Sequence, residues 1–199
     1  MEKIQKTSFY FLISILLISC GQLKTIPTDL ENAIIRTVKA YQKDDEKTLN
    51  NLILKDFGIA ILHQPTFFYQ IHISDKIPPE KDQEYFFGRL ELKNYKIYFE
   101  ELPEFSCGNG SWNKPIGIYC DTVNIDKTLS STAIADYCDY GWSDEQIKKF
   151  EEIEKKSYKV IVIGKQSDEY GGDYFIFHLT FIENKWYLTI VEKPDFCSA

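Results

Sequence analysis

Hydrophobic positions change their period along this chain, and the changes mark out its elements. Leu30, Ala33, Ile34, Val38 and Tyr41 recur at steps of three and four and share one helical face. Thr28-Asp29-Leu30-Glu31 has the order of a capping box, in which a hydroxyl and a carboxylate satisfy the first free amides of a helix. Asp44, Asp45 and Glu46 suit the positive end of a second helix, whose short apolar face is Leu49, Leu52 and Ile53. The two helices are expected to form a hairpin.

Strand patterns follow. Phe57 to Leu62 is apolar with one glycine inside, and Pro65 ends it. Phe67, Tyr69, Ile71 and Ile73 alternate with Phe68, Gln70, His72 and Ser74, a period of two. Ile77-Pro78-Pro79 reads as a loop. Tyr85 to Leu92 and Tyr95 to Glu101 read as two strands joined through Lys93-Asn94, and residues 103–114 as irregular. Ile116 to Val123 is a further strand and Leu129 to Tyr137 a short helix. Ser143-Asp144-Glu145-Gln146 is a second capping box, opening a helix to about Lys156 with Ile147, Phe150 and Ile153 inward. Tyr158 to Gly164 is a β-branched run. Tyr174 to Ile182 and Trp186 to Glu192 form a hairpin around Glu183-Asn184-Lys185.

This order predicts an α+β fold: an N-terminal helical hairpin packed on a mainly antiparallel curved sheet, with a closing C-terminal β-hairpin. Residues 29–199 form one globular domain. The helical start and the closing hairpin of Tyr174 to Val191 resemble the cone-shaped domains of the nuclear-transport-factor-two-like superfamily, a fold-level likeness that carries no function.

The N-terminus has a different logic. Lys3 and Lys6 precede an apolar run, Phe9 to Ile18, broken only by Ser14. That is the charged-then-apolar order of a secretory signal. The run has about ten residues where roughly twenty span a bilayer. Leu17-Ile18-Ser19-Cys20, followed by Gly21, resembles the bacterial lipobox. The resemblance implies that residues 1–19 are removed and that Cys20 carries the lipid (palmitate among its acyl chains). One fatty chain binds a membrane only marginally, whereas two or three hold a protein durably. Residues 20–28 are then a lipidated cysteine with a short tether, and the eight residues from Gly21 to Thr28 reach at most about 26 Å. The expected location is the cell envelope, at an outer membrane and facing the periplasm.

Charge and cysteines narrow the partners. Loss of Lys3 and Lys6 with Glu2 takes the formal charge from −7 to −8. Such a domain is a poor binder of nucleic acid, whose affinity rests on neutralised phosphates, and it offers no polybasic patch for anionic lipid. With Cys20 assigned to lipid, Cys107, Cys120, Cys138 and Cys197 remain. An even set in an exported domain predicts two disulfides. Of three possible pairings, Cys107–Cys120 with Cys138–Cys197 is preferred: one staples a turn-rich loop, the other a C-terminal tail that would otherwise fray. No C-x-x-C spacing points to zinc.

Catalytic patterns are sparse. His63, His72 and His178 stand in no metal-binding spacing, and no metal or cofactor is expected. There is no G-x-S-x-G elbow and no phosphate-binding loop; Gly108-Asn109-Gly110 reads as a turn. Ser130-Ser131-Thr132 reads as a helix cap. Glu100, Glu101 and Glu104 cluster around Pro103. Asp136, Asp139, Asp144 and Glu145 surround Tyr137, Tyr140 and Trp142, and paired acids beside rings are the parts of a glycan-hydrolysing cleft. Asp168-Glu169-Tyr170-Gly171-Gly172-Asp173 lacks the EF-hand pattern and reads as a turn.

The lipobox, Asp56-Phe57-Gly58-Ile59 leading to His63-Gln64-Pro65, the Lys185-Trp186-Tyr187 hairpin and the Phe196-Cys197-Ser198-Ala199 end together resemble uncharacterised lipoproteins of Bacteroidota type. The resulting expectation is a membrane-anchored, non-catalytic domain that binds a protein or small ligand. Two alternatives stand beside it. One is an envelope hydrolase acting on glycans through the acids near 136–145. The other is an inhibitor or immunity-type protein using the 107–120 loop.

Overall fold

The structure is a computed structural model that describes residues 29–64, 69–77, 90–121, 127–135, 141–165 and 172–197. Its helices are α1 (Leu30–Gln42), α2 (Glu46–Asn50), α3 (Thr128–Ala135) and α4 (Asp144–Lys155). Its strands are β1 (Ile59–His63), β2 (Gln70–Ser74), β3 (Ile97–Tyr98), β4 (Phe105–Ser106), β5 (Ser111–Trp112), β6 (Gly117–Asp121), β7 (Ser157–Ile163), β8 (Tyr174–Ile182) and β9 (Lys185–Lys193).

The α1 face expected from the sequence is the buried one: Leu30, Ala33, Ile34, Val38 and Tyr41 all lie in the core. Its cap differs. Asp29 is the N-cap residue, in a left-handed conformation with no side-chain cap bond, while its carbonyl accepts from the Ala33 amide at 3.0 Å. Thr28 lies outside the described residues. Asp45 caps α2, accepting from the Thr48 amide (3.0 Å) and hydroxyl (2.7 Å); these bonds hold its carboxyl below the usual range. At α4 the expected box forms in both directions, Ser143 accepting from the Gln146 amide and the Gln146 side chain from the Ser143 amide.

The main sheet is open, in the order β2-β1-β9-β8-β7-β6-β3. β1 with β9 and β3 with β6 are parallel, and the other four pairs are antiparallel. The fold is therefore α+β with a mixed, mainly antiparallel sheet. In the closing hairpin Glu183 and Asn184 have φ of 50° and 63°, the two positive values of a tight turn that matches strand twist. The connection thus has two residues, and Lys185 already pairs with Ile182.

A hairpin of 85–92 with 95–101 does not form. Residues 85–89 lie outside the described set. Leu90 to Leu92 are held by other groups: Gln42 Nε2 donates to the Leu90 and Leu92 carbonyls, 3.2 Å each, and the Lys165 amide to that of Glu91 at 3.1 Å. Only Ile97 and Tyr98 join the sheet, parallel to Ile118 and Tyr119. Conversely, residues 103–114, read as irregular, contain the small β4–β5 hairpin, Phe105 opposite Trp112.

Strand alternation splits the core. One face carries α1 and α2 over Ile59, Ile61, Ile118, Cys120, Val160, Val162, Phe175, Phe177, Leu179 and Val191. The other carries α3 and α4 over Ala60, Leu62 and Ile190. At its far end the β4–β5 hairpin and Phe196 cover Tyr119, Ile161, Ile163 and Ile176. β1 is apolar on both faces, which is why Phe57 to Leu62 reads as a continuous run rather than an alternation.

Candidate functional site

Between the two apolar patches of the second face lies a buried polar strip. Lys159 on β7 stands between Asp121 on β6 and His178 on β8 in the strand register. Glu192 on β9 completes the group. Its Oε1 lies 2.5 Å from His178 Nε2 and its Oε2 2.8 Å from Lys159 Nζ. His178 is 1 % exposed and Glu192 3 %. A carboxylate only accepts, so the imidazole nitrogen is the donor.

Beside these charges runs a chain of hydroxyls. Thr180 Oγ1 is 2.6 Å from both Ser157 Oγ and Thr189 Oγ1, and Ser157 donates to the Ile153 carbonyl at 2.7 Å. Thr189 reaches this position through a bulge: the β8–β9 register slips between His178 and Leu179, passing from Ile190 to Leu188. The extra residue re-aims a side chain, as bulges do. The Leu188 amide donates to the Leu52 carbonyl at 2.8 Å, tying β9 to the segment after α2.

A second buried carboxylate lies above the strip. Glu154, 2 % exposed at the end of α4, accepts from the Leu129 amide (2.7 Å) and the Ser130 amide (3.2 Å). It thereby satisfies free amides at the start of α3. A cavity of about 370 Å³ opens there, lined by Lys127, Ser130, Glu151, Glu154 and Lys155. Its anionic subsite at the helix end is filled by the protein's own carboxylate.

An imidazole held by a carboxylate is the base-and-orienter half of acid–base chemistry. Here the histidine is sealed in the sheet, and the neighbouring Thr180 hydroxyl is committed to Ser157 and Thr189. Glu192 binds both Lys159 and His178 and so ties β7, β8 and β9 together through side chains. His63, at the end of β1, and His72, exposed on β2, lie on other strands. Among the described residues no three His, Cys, Asp or Glu side chains converge as a metal site.

The cysteines depart from the preferred pairing. Cys107, in the β4–β5 turn, and Cys197, in the tail, sit at disulfide-bonding distance with Cα atoms 5.5 Å apart. Cys120 is fully buried on β6. Its neighbour Tyr119 faces the β4–β5 hairpin, so alternation turns Cys120 to the opposite side of the sheet, where Cys107 cannot reach it. Phe196 packs its ring on Phe105, Trp112 and Tyr174, with centroids 4.9–5.2 Å apart. Burial beside Asp195 pushes the Tyr174 hydroxyl up to about 12, and that hydroxyl donates to the Pro194 carbonyl at 3.0 Å. Cys20, Cys138, Asp136, Asp139 and residues 166–171 lie outside the described residues. Asp144 and Glu145 occupy the exposed first turn of α4, where they complement the helix dipole.

No protein-family model, curated protein or solved structure matches this chain.

The polar strip escaped sequence reasoning because its members come from four strands. The one local signal was a cluster of polar positions inside otherwise apolar runs, Lys159, His178, Thr180 and Thr189.

Proposed function

We propose that this protein is a lipoprotein of the bacterial cell envelope, anchored through Cys20, whose domain binds an envelope protein or a small ligand without catalysing a reaction. The observation that carries this reading is Leu17-Ile18-Ser19-Cys20 at the end of a short apolar run. The Cys107–Cys197 pair supports it, since such bonds belong to oxidising compartments. So does the buried strip, whose only imidazole is closed off from substrate. The domain works within a tether's reach of its membrane, at an outer membrane and facing the periplasm.

Metabolic labelling with a radioactive fatty acid tests the anchor. The wild-type protein takes up label and stays with membranes. Cys20→Ser takes up none and is recovered unprocessed or released. A Cys20→Ser protein that still labels at its N-terminus would refute the anchor.

A further inference from the structure

His63 is the last residue of β1 and Lys193 the last of β9, and the parallel register sets them side by side. Ile59 and Ile61 on β1 and Val191 on β9 belong to the core under α1. Alternation therefore places His63 and Lys193 on that same face. β2 contributes Gln70, opposite His63, and His72, opposite Ile61, again on that face. One corner of the sheet thus gathers an ammonium, two imidazoles and an amide.

The carboxylates closest in sequence are engaged elsewhere. Glu192 turns to the opposite face and binds His178 and Lys159. Asp195 accepts from the Cys197 amide at 3.2 Å. Lys193 itself has no ion pair and no side-chain hydrogen bond among the described residues. Burial lowers its amine to about 8. A desolvated ammonium without a counter-ion is costly, and an anion brought by a ligand removes that cost.

We propose that the Lys193–His63 corner, at the ends of the two parallel strands, is a binding site for a small organic carboxylate. A single ammonium matches a single negative charge, whereas a phosphate dianion calls for more cationic groups than one lysine. This proposal rests on the ligand-binding reading above and names its site. It is independent of the anchor, which the Cys20 experiment reads separately.

The test uses the full chain in detergent with sodium butyrate as probe. At pH 7.5 an amine-reactive ester should acylate Lys193 faster than the exposed Lys148, scored by peptide mass spectrometry. Butyrate at about 10 mM should slow acylation of Lys193 at least five-fold and leave Lys148 unchanged, while chloride at equal ionic strength does neither. By calorimetry, Lys193→Met should weaken butyrate binding ten-fold or more and Lys193→Arg less than three-fold. A thermal melt of Lys193→Met no lower than wild type shows that the loss is not unfolding. Equal protection by chloride or phosphate, no protection by butyrate, or undiminished butyrate binding in Lys193→Met would overturn the proposal.

Discussion

Glu192 bridges two basic side chains on neighbouring strands, accepting from His178 Nε2 at 2.5 Å and from Lys159 Nζ at 2.8 Å. Only 3 % of the glutamate is exposed. Removing one member of a buried ion pair leaves the other charged and desolvated, at about 3–5 kcal/mol. Glu192→Leu should therefore lower the unfolding free energy in urea by that amount. The double variant Lys159→Met/Glu192→Leu should be more stable than Glu192→Leu alone, because the buried ammonium that lost the Glu192 carboxylate is gone. A double variant no better than the single would show that the ion pair is not the source of the loss.

The link between Cys107 and Cys197 spans 90 residues of sequence. A cross-link of that span restricts the unfolded chain and stabilises by about 2–4 kcal/mol. Cys107→Ser and wild type under reductant should lose comparable stability in thermal unfolding, whereas Cys120→Ser should keep its response to reductant. Proteolytic digestion without reduction should give a peptide joining Cys107 to Cys197. A Cys107–Cys120 peptide would contradict the structure.

Gly58 precedes β1 with φ of +84°, and a Cβ there would overlap the Ser74 carbonyl oxygen. The obstacle is backbone in the adjoining strand, so it cannot swing aside. Gly58→Ala should cost about 2 kcal/mol or more, seen as a lower urea midpoint with unchanged slope.

Lys193 makes stability depend on pH. Its amine falls from 10.5 in the unfolded chain to about 8 when folded, so the native state binds fewer protons between those values. The penalty of burying the charge is complete below about pH 8 and is relieved as pH rises towards 10.5. Lys193→Met escapes it and should be more stable than wild type at pH 7, by up to about 3 kcal/mol. That advantage should shrink between pH 8 and 10.5 in urea titrations. Tyr174, raised from 10 to about 12, has the opposite effect in both proteins, because its stabilising contribution is lost as pH rises through that interval. The comparison with Lys193→Met cancels it. A constant difference across the range would show that Lys193 does not titrate as stated.

Much of the fold could be read locally. The α1 stripe, the α4 capping box and the β8–β9 hairpin depend on residues a few positions apart, and pattern alone found them. The 85–92 and 95–101 stretches have the pattern of a hairpin, but Leu90 to Leu92 bond to Gln42 and Lys165, and Ile97 and Tyr98 pair with β6, all far away in sequence. The cysteine pairing was missed for a related reason. Loop arithmetic favoured Cys120, but Cys120 faces the α1 layer while the β4–β5 hairpin lies on the opposite face.

The sequence by itself determined the identity and order of the main elements, the apolar faces of α1 and α4, and the lipobox pattern on which the anchor proposal stands. These are properties of spacing along one chain. Tertiary structure alone decided which strands became neighbours, and with that the parallel joining of β1 to β9. It also decided the meeting of Lys159, His178 and Glu192, and the side-by-side ends of His63 and Lys193. Pairing between distant strands is chosen by the packing of the whole core, and no local pattern encodes it.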